Sequence, residues 1–289
     1  GAEVQLYTLA KTLHKVPNVS VSVLLFNPGM LADKLSAEGI QVTILDESLL
    51  NGFKLLAETI RILKSSKVDI IHTHRTKENI IGSISGRLAG NIPSIRTAHG
   101  APEHHHSMLN IPKHTTRLLD YISGRYLQRR IIAVSDDLAN HLHHTFPDRL
   151  INVIENGIDQ TSLQAPTNRS DTINQHADSY LHIGIAGRLV PIKRVDLFIQ
   201  TARHILDQYP AIKTQFHIYG GGPERNSLEQ LSKRLGTENI VRFEGHTASL
   251  PEKLQDLDIL LMTSDHEGLP MILLEAMASA TPIIAHATG

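Results

Sequence analysis

Leu181-His182-Ile183-Gly184-Ile185-Ala186 runs into Gly187-Arg188-Leu189-Val190-Pro191-Ile192-Lys193, and then into Val195, Phe198, Ile199, Ala202, Ile205 and Leu206. The first six residues form a short apolar run of strand character, the next seven a turn, and the last set one clean face of a helix. A strand, a turn and an amphipathic helix in that order make half of a βαβ unit. The pattern continues downstream, with strands expected at 213–219, 239–243, 258–262 and 282–285. Helices are expected over 193–208, 224–236, 250–256 and 270–279.

The same alternation fills the chain upstream. Strands are expected at 20–26, 40–45, 68–72, 93–98, 130–134 and 150–154, and helices over 2–15, 30–38, 52–66, 76–89, 113–129 and 135–144. Ser135 followed by Asp136 and Asp137 marks an N-cap with an acidic first turn. Strands separated by helices of this length imply parallel sheets with crossovers on both faces. The fold class is therefore α/β, with two Rossmann-like domains. A polar stretch without periodicity divides the series into domain 1–160, linker 161–178 and domain 179–289. The first domain opens on a helix and the second stops after a strand. We therefore expect an internal fragment, lacking the strand that feeds its first helix and the end of its second domain.

Composition narrows the function. With 289 residues, 41% of them hydrophobic and 20% charged, the chain has ordinary globular character, which excludes disorder. A net charge of −1 gives no basic footprint for nucleic acid. The absence of Cys excludes disulfides, thiolate nucleophiles and Cys-based zinc sites. No apolar run reaches the roughly 18 residues of a spanning helix, and Gly1-Ala2-Glu3 does not begin a signal peptide.

Three segments place anion-binding groups at the carboxyl ends of strands. In Gly187–Lys193 a glycine turn brings Arg188 and Lys193 to a helix N-terminus, where dipole and side chains attract one anion, most naturally a diphosphate. Gly220-Gly221-Gly222-Pro223 lets backbone approach a ligand, but Arg225 breaks the dinucleotide fingerprint. In Glu267-Gly268-Leu269-Pro270-Met271-Ile272-Leu273-Leu274-Glu275, Pro270 suits the first helical position, and the amides of Leu269, Met271 and Ile272 would point toward an anion. Glu267 can accept hydrogen bonds from sugar hydroxyls, and Glu275, in an apolar stretch, needs a partner.

These segments resemble the retaining family 4 glycosyltransferases of the GT-B fold. The resemblance covers nearly the whole chain. It includes Gly1-Ala2-Glu3, Asp69–His74, Arg96–Gly100, Ile132–Ser135, Val153–Asp159, the Gly187–Lys193 turn, Gly220–Pro223, Val241–Gly245 and the Glu267/Glu275 pair. Two sheets facing across a cleft are implied, with the second domain binding the nucleotide-sugar and the first taking the acceptor side. By that resemblance Arg188 and Lys193 neutralise the leaving diphosphate, Glu267 holds the donor sugar and Glu275 the ribose. His99 is the pocket histidine that contacts the sugar. Gly187, Gly268, Leu269, Met271, Ile272, Gly221 and Gly1 belong to the donor-binding loops. Arg194 and Ala280 stand where the family often has Gly.

The resemblance implies metal-independent transfer of a sugar, with retention, to a glycan or lipid-linked acceptor in cell-surface polysaccharide or glycolipid synthesis. The expected donor is a UDP-sugar, which acts as co-substrate, so no separate cofactor is expected. The expected location is the cytoplasm, with peripheral association at the cytoplasmic face of a membrane. Two other readings share the architecture: a nucleotide-sugar epimerase and a non-catalytic binding scaffold. His104-His105-His106 follow His99 in a long loop that suits an acceptor contact. His74 ends a strand on the side of the expected cleft, a position open to a rim role or a structural one. Asp256-Leu257-Asp258 straddles a strand start and reads as structural. The clustered histidines lack acids at matching spacing, and no metal site is expected.

Overall fold

The computed structural model describes residues 1–100, 111–159, 180–247 and 250–288, and the side chains of 111–114 are not considered. The chain divides into two compact units, Gly1–Gly157 and Ile158–Gly289. The expected linker 161–178 and His104–His106 lie outside the described residues.

The first unit alternates α1 (Ala2–His14), β1 (Ser22–Leu25), α2 (Met30–Ala37), β2 (Gln41–Ile44), α3 (Gly52–Ser65), β3 (Ile71–Thr73), α4 (Thr76–Gly90) and β4 (Ser94–Ala98). It continues with α5 (Ile111–Ile122), β5 (Gln128–Ala133), α6 (Asp136–His143) and β6 (Ile151–Val153). Its strands form two parallel sheets instead of one, β1-β2 and β3-β4-β5-β6. Phe26, Leu55 and Ile81 pack into one cluster with Leu24 and Leu45, so β1, α3 and α4 share a core. Caps set the helix starts: Asn51 accepts from the Lys54 amide at 3.0 Å, and Ser135 from that of Leu138 at 3.3 Å. The helix expected over 113–129 ends at Ile122, passes through a π-turn at Ser123–Leu127, and yields to β5 at Gln128. The buried Gln128 is drawn against Asn79, which starts the strand before the apolar run does.

The second unit contains β7 (Leu181–Ala186), α7 (Val195–Gln208), β8 (Thr214–Tyr219), α8 (Arg225–Arg234) and β9 (Val241–Gly245). It continues with α9 (Leu250–Gln255), β10 (Ile259–Met262), α10 (Met271–Ala278) and β11 (Ile283–Ala285). All five strands are parallel, in the order β11-β10-β7-β8-β9. Phe198, Ile199 and Ala202 of α7 and Leu228 of α8 pack with Ile183, Phe216 and Ile218. Leu254 of α9 and Ala276 of α10 pack with Leu257, Leu260 and Tyr219 in a second cluster. The strand order reverses between β7 and β10, so the loops leaving these two strands diverge and open a crevice at their carboxyl ends. No described helix is long and apolar enough to cross a membrane.

Two helix starts differ from the sequence reading. Pro191–Lys193 form a 3₁₀ turn and α7 begins only at Val195, because Arg194 takes a left-handed conformation at φ 48°. Pro270 is the N-cap of α10, with extended ψ, and not its first helical residue.

Ala280 also has a left-handed backbone, at φ 54°. A Cβ there costs about 1 kcal/mol that glycine avoids. We therefore expect Ala280→Gly to raise the thermal midpoint by a few degrees. Ala276→Gly, at a buried position inside α10, should lower stability by about 1 kcal/mol or more. Calorimetric melting of both variants checks the opposite signs.

Candidate donor site

The turn after β7 is held on both sides. Toward β8, the Gly187 amide donates to Tyr219 O and the Leu189 amide to Gly221 O, both at 2.9 Å. Toward β10, Thr263 Oγ1 donates to the carbonyls of Lys193 and Arg194 at 3.0 and 2.9 Å, and the Asp265 amide donates to Ile192 O at 2.9 Å. Leu189, 1% exposed, anchors the turn from beneath. The glycine run earns its place through this contact. A Cβ on Gly220 would collide with the Gly187 carbonyl, and one on Gly222 with the Leu189 backbone, whereas Gly221 has nothing within 4 Å. Two of the three glycines thus serve chain against chain, and only Gly221 keeps the open approach expected of a ligand-facing residue.

A pocket at the β7/β10 crevice is lined by Gly187, Arg188, Lys193, Tyr219, Ser264, Glu267 and Ile272, above a floor of Ile185, Leu189 and Leu260. Arg188 is exposed and has no ion-pair partner among the described residues. Lys193 Nζ pairs with Glu267 Oε1, and both side chains are mostly buried. The two residues assigned to diphosphate and sugar are therefore held together before any ligand arrives. Ile272 lines the pocket, while Met271, before it at the start of α10, is buried and does not; neither amide makes a hydrogen bond among the described residues. Gly268 is buried in the preceding loop, and Leu269 there is already engaged by a neighbour. Glu275, half-buried on α10, also has a partner but does not line the pocket. Arg194 lies beside the turn, ion-paired to Asp196 and Asp265 at 3.0 Å, and these carboxylates hold its guanidinium charged. Tyr219 and Ser264 were not singled out from the sequence. Tyr219 could have been, since it immediately precedes the glycines, and burial pushes its hydroxyl up to about 12. Asp258, as expected, is structural: its Oδ2 accepts the His182 amide at 2.8 Å.

In the first unit, His99 follows β4 and His74 follows β3. Their rings meet at 3.0 Å, Nδ1 of His74 to Nε2 of His99. His72 stacks on His74 with centroids 4.4 Å apart, and its Nε2 contacts Thr97 Oγ1 at 2.8 Å. Gly82 and Gly86 bring α4 so close to β3 that a Cβ on either would press on Thr73 or Ile71. Gly1 is the exposed N-cap of α1, and Glu3, in the first turn, pairs with Arg75 at 2.6 Å. Burial, the main cause, lowers the imidazoles to about 4 for His72, about 3 for His74 and about 4 for His99. All three are neutral near pH 7.

A strand-order reversal with a cationic turn on one side and an acid-bearing loop on the other makes the ligand crevice of an open parallel α/β unit. Family comparison agrees: residues 1–162 match the profile described as Glycosyltransferase Family 4, and 181–289 that of Glycosyl transferases group 1. The chain belongs to glycosyltransferase family 4. It is 26% identical over 260 residues to the Escherichia coli UDP-Gal:alpha-D-GlcNAc-diphosphoundecaprenol alpha-1,3-galactosyltransferase, covering 88% of this chain and 67% of that protein. It is 24% identical to the D-inositol 3-phosphate glycosyltransferase of Kribbella flavida, covering 91% and 66%. The chain thus spans about two thirds of the length of these relatives. Among solved structures, Anabaena Alr3699/HepE in complex with UDP and glucose matches all of this chain and 78% of its own, with a TM-score of 0.80 at 23% identity. The fold is GT-B.

Two outcomes follow from this geometry. Gly222→Ala should lower the melting temperature and weaken nucleotide binding together, while Gly221→Ala leaves the melting temperature unchanged. The histidine cluster makes stability depend on pH. Folded pKa values below the ordinary 6.5 mean that the unfolded chain binds more protons as pH falls from about 7 toward 4. Stability is therefore full above about pH 7 and declines through that window. Replacing His72 by Gln should flatten the decline in urea titrations across pH.

Proposed function

We propose that this chain transfers a hexosyl group from a UDP-sugar to a glycan or lipid-linked acceptor, with retention of configuration. The observation that carries the reading is Arg188, a cation without an ion-pair partner among the described residues, set beside the Lys193–Glu267 pair at the strand-order reversal. An unpaired cation next to open helix amides is built for a phosphate. As the bond from the sugar's anomeric carbon to the diphosphate breaks, negative charge grows on the leaving oxygen. Fixed cations stabilise that charge without reorganising. The acceptor oxygen attacks from the face the diphosphate leaves, and its proton passes to a leaving phosphate oxygen. No separate base is needed, and with the charge met by Arg188 and Lys193 no metal is required.

Glu267 is suited to the donor sugar's hydroxyls, Glu275 to the ribose and His99 to the sugar from the first unit. Support for the donor comes from the UDP named for HepE and for the galactosyltransferase, and support for a lipid-linked acceptor from the latter's diphosphoundecaprenol substrate. Such an acceptor would bring the protein to the cytoplasmic face of a membrane.

Calorimetry with UDP, GDP and ADP tests the donor site. Arg188→Ala and Lys193→Ala should each weaken UDP binding roughly 10- to 100-fold, the effect of a lost charge-assisted hydrogen bond. Arg234→Ala, on the exposed last turn of α8, should leave it unchanged. Equal binding by all three variants would remove the assignment.

A further inference from the structure

The first unit contains a pair that the proposed mechanism does not use. His74 Nδ1 lies 3.0 Å from His99 Nε2, and the two rings stack at 5.3 Å with 21° between their planes. Each ring stands at the carboxyl end of its strand, and β3 and β4 are adjacent and parallel in register, with Thr73 beside Arg96. The contact is therefore set by backbone pairing. His74 is itself held from behind by the stack with His72, whose far nitrogen meets the buried Thr97 hydroxyl.

We propose that His74 is a positioning residue for His99, fixing the orientation and tautomer of that imidazole through the Nδ1–Nε2 hydrogen bond. The inference rests on the reading of His99 as the histidine that contacts the donor sugar.

The chemistry is restrictive. Two neutral imidazoles facing nitrogen to nitrogen share one proton: one ring donates and the other accepts. The state of His99 Nδ1 then follows from the direction of that bond: it carries the proton if His74 donates and is bare if His99 donates, because a neutral ring carries only one. With Nε2 occupied, Nδ1 is the ring nitrogen of His99 left for a ligand, and it has no partner among the described residues. His74 thereby decides whether His99 offers a sugar hydroxyl a donor or an acceptor. A ring held by one hydrogen bond and a stack also loses less freedom when the sugar binds.

The test combines a kinetic arm with one that needs no donor. Nitrogen-15 NMR of histidine-labelled protein, with His99 assigned from the signals lost in His99→Asn, reads the tautomer directly. Wild-type His99 should show a single tautomer, and His74→Ala should shift it to a mixture or to the opposite form. In the kinetic arm, His74→Ala should lower kcat for hydrolysis of UDP-glucose or UDP-galactose roughly 10- to 100-fold, as expected when a contact group is mispositioned. UDP affinity should stay within about twofold, because the residues proposed for the diphosphate are Arg188 and Lys193. His74→Asn, whose amide can occupy the place of Nδ1, should recover most of the rate. An unchanged His99 spectrum in His74→Ala overturns the proposal, as does a kcat equal to wild type in that variant. Failure of the wild-type chain to bind UDP would fall on the transferase reading alone, since the NMR arm still decides the pair.

Discussion

The donor site depends on one backbone approach. The turn between Gly187 and Arg194 is pressed against the loop after β8 so closely that Gly220 and Gly222 have no room for a side chain. Hydrogen bonds from Gly187 and Leu189 close that side, and Thr263 and Asp265 close the other. Arg188 is thus carried on a backbone held from both sides. Electrostatic stabilisation of a leaving group is most effective when the scaffold that carries the cation need not move during reaction.

The Lys193–Glu267 pair extends the same logic. A lysine with a quarter of its side chain exposed and a carboxylate with 13% would each be costly to hold alone in the crevice. Together they are neutral, and the lysine keeps further N–H donors for a phosphate. Glu267 likewise keeps an oxygen for hydroxyl groups. The pair therefore aligns both residues without removing either from use.

Much of the site was legible in the sequence because its parts are local. A strand running into Gly187-Arg188 and a proline followed by an apolar helix are short-range patterns, and both occur where expected. What was not legible is long-range. Lys193 and Glu267 are 74 positions apart, and only the β7–β10 neighbour relation brings them together. The glycine run was read as an approach to a ligand, yet two of its members serve contact with another turn. Tyr219 looked like the end of a strand, because its place in the pocket depends on how β8 pairs with β7. In the first unit the alternation implied one sheet where two are found, since periodicity reports which face a strand buries and not its neighbours.

The two positions where glycine was expected, Arg194 and Ala280, are both left-handed. The likeness to the family was therefore reporting backbone conformation, and the side chains differ in how that strain is met. Ala280 donates its amide to Met277 O at 3.1 Å and has no side-chain polar group to add. Arg194 reaches Asp196 and, across the turn, Asp265 on the loop after β10. Its contact to Asp265 spans the same two loops that Lys193 and Glu267 join. A substitution that strains one residue thus adds a second charged tie across the crevice, beside the one the site needs. The sugar contact proposed for His99 in the first unit would work by the opposite means. There burial keeps three imidazoles neutral, and direction comes from stacking and a shared proton. Fixed charge suits the end of the donor that leaves as an anion. Neutral, oriented donors and acceptors suit the sugar, whose hydroxyls gain more from geometry than from charge.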